Sequence, residues 1–295
     1  MMSKRQLSMK TVLSIQSNVV YGYAGNKVAT LAMQLQGVEV MPIHTVQLSS
    51  NTVYPDYDGI VLGAQQITRI VNSLEKIGVL KSIDAVISGY IGLAEQGEEI
   101  IEAVKKIKYY NPNAIYVCDP VMGGDINKGS SLPQNIIDFF TKQAIKHADY
   151  ITPNLLELQI LSNIEIKTFS DVQTAIKKLQ NQPIQAVLVK NLVHAGKTTE
   201  LFEMILATPS QSYHLARPLY DFPYRPLGVG DLICSLFTAH LINGKSQLNA
   251  FELAANAANH VLAVTKQKEA RELAIIDSQD WLKKPDLQYQ ATPLL

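Results

Sequence analysis

Gly228-Val229-Gly230-Asp231 holds, in one tight spacing, the residue types that phosphate chemistry requires. Leu232, Ile233, Leu236, Phe237 and Leu241 follow at helical intervals, so the glycines stand at the mouth of a helix and Asp231 in its first turn. A helix N-terminus presents unpaired N–H groups and the positive end of a dipole, and both favour an anion. Glycines let the backbone come close to that anion, and a carboxylate beside it can take a proton from an attacking hydroxyl. Asp after glycine is also an ordinary way to begin a helix. Taken alone, the tetrapeptide leaves both roles open.

Further polar residues collect where such chemistry would need them. In open α/β sheets, ligands bind beyond the carboxyl ends of the strands. Six runs that read as strands end in polar groups: Gln16-Ser17-Asn18, Ser49-Ser50-Asn51-Thr52, Ser88-Gly89-Tyr90, the stretch from Asp119 to Asp125, Thr152-Pro153-Asn154, and Lys190. Asp119 and Glu157 are hard oxygen donors able to hold Mg²⁺ directly or through water, and Lys190 is a point charge suited to a phosphate oxygen. Each also has a plain structural role. Asp before Pro starts turns, and Asn154 with Glu157 makes a capping box at a helix start.

Other chemistries fit less well. Asn191 to Thr198 resembles a phosphate-binding P-loop, but Asn191 replaces the first glycine. The following residues, Glu200 to Thr208, read as a strand where a P-loop opens a helix, so Ala195-Gly196-Lys197 is expected to be a hairpin turn. The six histidines show no metal-ligand spacing, and Cys118 and Cys234 form no pair motif. No Gly-x-Ser-x-Gly elbow occurs, and the loop from Ser17 to Gly25 lacks the dinucleotide-binding Gly-x-Gly-x-x-Gly.

The elements that must position these groups alternate along the chain. Strands are expected at 12–15, 38–46, 85–88, 115–118, 150–152 and 186–189, with helices at 27–36, 65–77, 98–110, 134–146 and 171–179 between them. Two strands, 200–208 and 212–215, then add an antiparallel edge, and helices from 231 and over 250–266 follow. The fold class is therefore α/β: a three-layer α/β/α sandwich on a mainly parallel sheet. Without a repeat or a linker, the 295 residues read as a single domain, with a flexible start at 1–9 and a surface tail at 283–295. Basic and acidic residues balance at 26 each, which disfavours nucleic acid or an anionic membrane as partner. No apolar run approaches the roughly 20 residues of a membrane span, and two cysteines with apolar neighbours suit a reducing cytoplasm.

Longer stretches carry a resemblance. Ser17 to Asn26, Thr45-Val46-Gln47-Leu48-Ser49, Ser88 to Gly92, Cys118 to Gly123, Thr152 to Leu158, Arg217-Pro218-Leu219-Tyr220 and the Gly-x-Gly-Asp at 228–231 are similar to the ribokinase-like superfamily. Within it the chain resembles the pyridoxal kinases of the bacterial PdxY type. The resemblance implies transfer of the γ-phosphate of ATP to the 5′-hydroxymethyl of pyridoxal, in vitamin B6 salvage, by a homodimer using Mg²⁺; it also leaves room for a monovalent cation. It assigns Ser17, Thr52, Val53 and Tyr90 to pyridoxal and makes Asp231 the base, with the amides of Gly228, Val229 and Gly230 facing the transferring group. Asp119, Thr152, Glu157 and Lys190 match ATP and Mg²⁺ positions, and Arg217, Pro218, Leu219 and Tyr220 match a segment over the nucleotide. Cys118 matches a cysteine near the substrate aldehyde, which implies a reversible thiohemiacetal against the plainer role of a buried strand cysteine. Two stretches depart from the family pattern: Leu48-Ser49-Ser50-Asn51-Thr52 where Phe-Ser-Asn-His-Thr is usual, and the loop from Met122 to Ser131. The nearest alternative activity is a hydroxymethylpyrimidine kinase, and a different class is a B6-vitamer carrier with weak catalysis.

Overall fold

Val12, Leu13 and Ile15 are all fully buried, as a continuous apolar strand must be when both faces of its sheet are covered. That strand, β1 (Thr11–Val19), lies inside a ten-stranded sheet. The computed structural model describes residues 9–294. Apart from Met9, the expected flexible start lies outside the described residues.

In chain order, β1 leads to α1 (Asn26–Leu35), β2 (Glu39–Leu48), β3 (Gly59–Val61), α2 (Gln65–Lys76), β4 (Ala85–Ser88), α3 (Ala94–Tyr110) and β5 (Ile115–Cys118). Then come α4 (Gln134–Phe139) and α5 (Ile145–His147), joined by a π turn over Phe140–Ala144, followed by β6 (Tyr150–Ile151). Next are α6 (Leu155–Ser162), α7 (Phe169–Leu179), β7 (Ala186–Val189), β8 (Leu201–Ala207) and β9 (Ser212–Pro218). The chain closes with α8 (Val229–Ile242), α9 (Gln247–Gln267), α10 (Gln279–Lys283) and β10 (Thr292–Leu294).

The strand order is β10-β9-β8-β7-β6-β5-β4-β1-β2-β3. Pairing is parallel from β2 through β1, β4, β5 and β6 to β7. It is antiparallel at both ends: β3 on β2, and β8, β9 and β10 beyond β7. One antiparallel edge was expected, so β3 is an addition, and its exposed three residues give little alternation to read. Within the tail, Thr292–Leu294 form β10, paired on β9 with Thr292 and Pro293 exposed.

Alternate residues of each strand feed two separate cores. Leu13, Ile15, Tyr116 and Cys118 pack under α2, α3, α4, α6 and α7, whereas Val12, Val117 and Leu188 pack under α1, α8 and α9. This is the expected three-layer sandwich. It leaves the carboxyl ends of the parallel strands facing the start of α8.

Candidate active site

β5 and β6 end level with one another, β7 runs two residues further, and the residue after each carries a polar side chain. The Asp119 amide donates to the Ser88 carbonyl at 2.9 Å, that of Thr152 to Cys118 at 3.0 Å, and that of Lys190 to Pro153 at 2.9 Å. Backbone pairing thus continues past the strand ends and brings Asp119, Thr152 and Lys190 to one rim. Lys190 Nζ donates to both oxygens of Asp119, at 2.6 and 2.7 Å, and both residues are buried. Burial pushes the Asp119 carboxyl up against the pull of Lys190. Burial likewise opposes charge on Lys190, but Asp119 and Glu157 hold it above the ordinary lysine value. The contact is an ion pair, and losing either partner would leave a buried charge alone.

Glu157 completes this corner from the first turn of α6. Its Oε2 accepts the Asn154 amide at 2.7 Å while Asn154 Oδ1 accepts the Glu157 amide at 3.0 Å, the expected capping box. Its Oε1 accepts the Met122 amide at 3.1 Å and so ties the loop after β5 to the helix. Burial, opposed by Lys190 and reinforced by Asp119, pushes this carboxyl up to about 8.

α8 starts above the ion pair. Gly228 has φ +88°, and a Cβ there would collide with the Tyr23 carbonyl oxygen, so the position demands glycine twice over. At Gly230 a Cβ would stand 3.1 Å from Lys190 Nζ. The glycine backbone therefore rests directly on the Asp119–Lys190 pair, with amides open beyond it. Asp231 is partly buried, and its Oδ2 accepts the Gly25 amide at 2.8 Å. Burial, then the nearby Asp119, raise its carboxyl to about 6, against the Gly25 hydrogen bond and Lys190. A carboxylate so placed could accept a proton near neutrality.

The neighbouring strand ends carry the residues expected on the pyridoxal side. Ser17 is buried late in β1, and Gly25, with φ +55°, leaves no room for a Cβ against it. Tyr90 follows β4, its carbonyl accepting from Thr45 Oγ1 at 2.7 Å; burial, then Tyr57, raise its hydroxyl. Thr52 and Val53 stand exposed on the loop between β2 and β3. Cys118 is fully buried with Tyr116 in the core on the side away from α8, and burial pushes its thiol up to about 12, which disfavours the thiolate. At the far side, the buried Arg217 guanidinium stacks on Phe202 at 3.9 Å and donates to the Pro218 carbonyl at 3.2 Å. Its Nε and Nη2 find no partner among the described residues, and burial lowers it to about 10. Leu219 is exposed and Tyr220 half-buried on the segment that returns to α8.

Magnesium, implied by the resemblance, can be tested against this donor set. Among the described residues no group of three or more His, Cys, Asp or Glu is placed to hold a metal. Both Asp119 oxygens face Lys190, and both Glu157 oxygens accept amides. The buried Thr152 hydroxyl, however, has no hydrogen-bond partner among the described residues. Two carboxylates with spare lone pairs and one free hydroxyl fit a hydrated Mg²⁺ held through its waters and by a phosphate chain.

Sequence reasoning missed two residues of this arrangement. Gly25 was read only within a longer motif, and its positive φ had no marker, because left-handed glycines usually mark helix ends rather than starts. Glu272, after α9, binds Tyr54 at 2.7 Å and had no signal at all, since only the fold brings it to the loop after β2.

Comparison with known proteins places the chain in a family. Residues 64–272 match a family model described as phosphomethylpyrimidine kinase. A protein of Pasteurella multocida named pyridoxal kinase PdxY is 48% identical over 286 residues, covering 97% of this chain and 100% of that one. One of the same name from Actinobacillus pleuropneumoniae is 47% identical over 287 residues, covering 97% and 100%. Among solved structures, a pyridoxal kinase of Leishmania donovani in complex with ADP and pyridoxamine superposes with a TM-score of 0.89 at 27% identity, covering 97% of this chain and 100% of that one. A pyridoxal kinase of Entamoeba histolytica with PLP gives 0.86 at 25%, with 97% and 100% coverage. With helix mouth, ion pair and whole-length similarity in agreement, the chain belongs to the PdxY-type pyridoxal kinases, within the phosphomethylpyrimidine kinase family.

Proposed function

We propose that this chain transfers the γ-phosphate of ATP to the 5′-hydroxymethyl of pyridoxal by direct in-line displacement, with Asp231 as the base. The observation that carries the reading is the placement of Asp231 in the first turn of α8, beside glycine amides that rest on the Asp119–Lys190 pair. Asp231 takes the hydroxyl proton as the oxygen attacks, and Gly25 holds the carboxylate in place through its amide. The amides of Gly228, Val229 and Gly230 stabilise charge on the group in transfer, and Lys190 adds a fixed positive charge beneath them. No covalent phosphoenzyme is needed, because positioning and electrostatics supply the acceleration. Mg²⁺, when bound near Asp119, Thr152 and Glu157, would offset phosphate charge. Ser17, Tyr90, Thr52 and Val53 receive the pyridoxal ring, and Arg217 to Tyr220 lie over the nucleotide. By the same reading the enzyme is a cytoplasmic homodimer without nucleic-acid or membrane partners. No helix among the described residues is long and apolar enough to cross a membrane.

Asp231→Asn tests the assignment. It should leave pyridoxal binding nearly intact and cut kcat by roughly two to four decades, the usual weight of a positioned base; near-normal turnover would sink it. The match to a phosphomethylpyrimidine kinase family model favours one second reading, phosphorylation of a hydroxymethylpyrimidine. Comparing kcat/KM for pyridoxal and hydroxymethyl-aminopyrimidine separates the two, and a carrier would bind pyridoxal without consuming ATP.

A further inference from the structure

The segment after α9 reaches back across the acceptor side of the site. Glu272 Oε1 accepts from the Tyr54 hydroxyl at 2.7 Å and from Asn51 Nδ2 at 3.3 Å, and its Oε2 accepts the Tyr23 amide at 3.3 Å. Asn51 and Tyr54 flank Thr52 and Val53, the pair read as pyridoxal-binding, and Asn51 Oδ1 in turn accepts the Val53 amide at 3.1 Å. On the other side, the Tyr23 carbonyl abuts Gly228, and two residues on the Gly25 amide holds Asp231. Gly22 is packed so tightly on the Glu272 carboxylate that a Cβ there would collide with it.

Arg271 works beside it. Its guanidinium lies 3.9 Å from the centre of the Tyr54 ring and 4.8 Å from that of Tyr224. Tyr54 also meets Tyr21 edge-on at 5.8 Å. Tyr224 belongs to the stretch between Tyr220 and Gly228, so two adjacent residues join three loops: the one after β1, the one after β2, and the one entering α8.

We propose that Arg271 and Glu272 form a clamp that positions the acceptor-binding loop against the catalytic helix mouth, with Glu272 acting as a positioning residue for the acceptor. The proposal rests on the pyridoxal kinase reading. Surface packing alone would ask for one or two contacts. Here a single carboxylate takes donors from two loops, and each donor neighbours a substrate-side or catalytic residue. Charge-assisted hydrogen bonds of this kind are the stronger class, and a neutral isostere cannot accept all three.

The test uses full-length Glu272→Ala and Glu272→Gln, with steady-state kinetics and ligand-free amide hydrogen exchange. Losing hydrogen bonds to a charged group should raise the pyridoxal KM about tenfold in the Ala variant and less in Gln. The ATP KM should stay near the wild-type value, and exchange should quicken at 20–25 and 49–58. An unchanged pyridoxal KM in the folded variants overturns the clamp. So does a parallel decline in kcat and in affinity for both substrates that tracks the melting temperature, since that is a purely structural effect. If the Ala variant does not fold, the isosteric Gln variant carries the test. A wild-type enzyme inactive on pyridoxal would instead defeat the activity reading, while the exchange data would still decide the clamp.

Discussion

Asp231 carries opposite consequences for activity and for stability. Its carboxyl is raised from 3.8 to about 6 because burial and Asp119 disfavour the charge that the proposed base requires. With Asp231 as the base, kcat/KM for pyridoxal should rise with pH through about 6 and then level off; a profile flat across that range would remove it from the role. Stability runs the other way. An acid raised on folding favours its protonated form in the folded chain, so this contribution is present below about 3.8 and lost as pH rises through about 6. Asp231→Asn should therefore melt higher than wild type at pH 8 and lose that advantage in acid, as thermal scans at both pH values would show. Residue types of this kind were legible in the chain, because Asp, Lys and Glu after strands are few enough to stand out. Their pairings were not. Lys190 and Asp119 are 71 residues apart, and only the parallel register makes them an ion pair.

At the scale of elements, α8 depends on how it begins. Gly228 combines a left-handed backbone with direct packing on the Tyr23 carbonyl, so Gly228→Ala meets both a conformational penalty and a clash. Left-handed strain alone costs about 1–3 kcal/mol, and in a chain of this size each kcal/mol shifts the melting point by about 2–4 °C. The variant should melt several degrees lower and lose most of its turnover, because the amides shift relative to Lys190. A Gly228→Ala enzyme with wild-type kcat would show that the helix mouth does not set the rate. Short continuous apolar runs, such as the buried β4, β5 and β7, coincide with their expected bounds. The shortfalls have physical causes. β3 exposes all three residues, so nothing alternates, and the helix that starts at Gln134 runs on through a π turn, which hydrophobic spacing does not mark. α3 begins at Ala94, four residues before the expected start, because its Gln96 side chain bonds the Gly92 amide at 2.9 Å and the Thr45 carbonyl at 2.7 Å.

For the molecule as a whole, the last residues matter more than their proline-punctuated sequence implies. The Tyr289 carbonyl accepts from Asn256 Nδ2 at 2.7 Å, and its amide donates to Asn256 Oδ1 at 2.8 Å. The Ala291 amide donates to Glu252 Oε1 at 2.9 Å, and β10 then seals the outer edge of β9. Asn256 and Glu252 are both buried in α9, so deleting residues 285–295 strands their polar groups and reopens a sheet edge. Each stranded buried group costs about 1–3 kcal/mol, and two of them in a domain of this size should lower the melting temperature by roughly 5–20 °C. On the proposed placement of Arg217 over the nucleotide, the loss should also reach that ligand. β9 carries Arg217, and Tyr289, which lies near that guanidinium, favours its charge. The truncated chain should therefore show a higher ATP KM, with the pyridoxal KM changed much less. Differential scanning calorimetry and two-substrate kinetics on the truncated protein would check both effects together. An unchanged melting point would mean that the tail is only a surface strand. A melting point that falls while both KM values rise equally would mean that β10 supports the fold without favouring the nucleotide side.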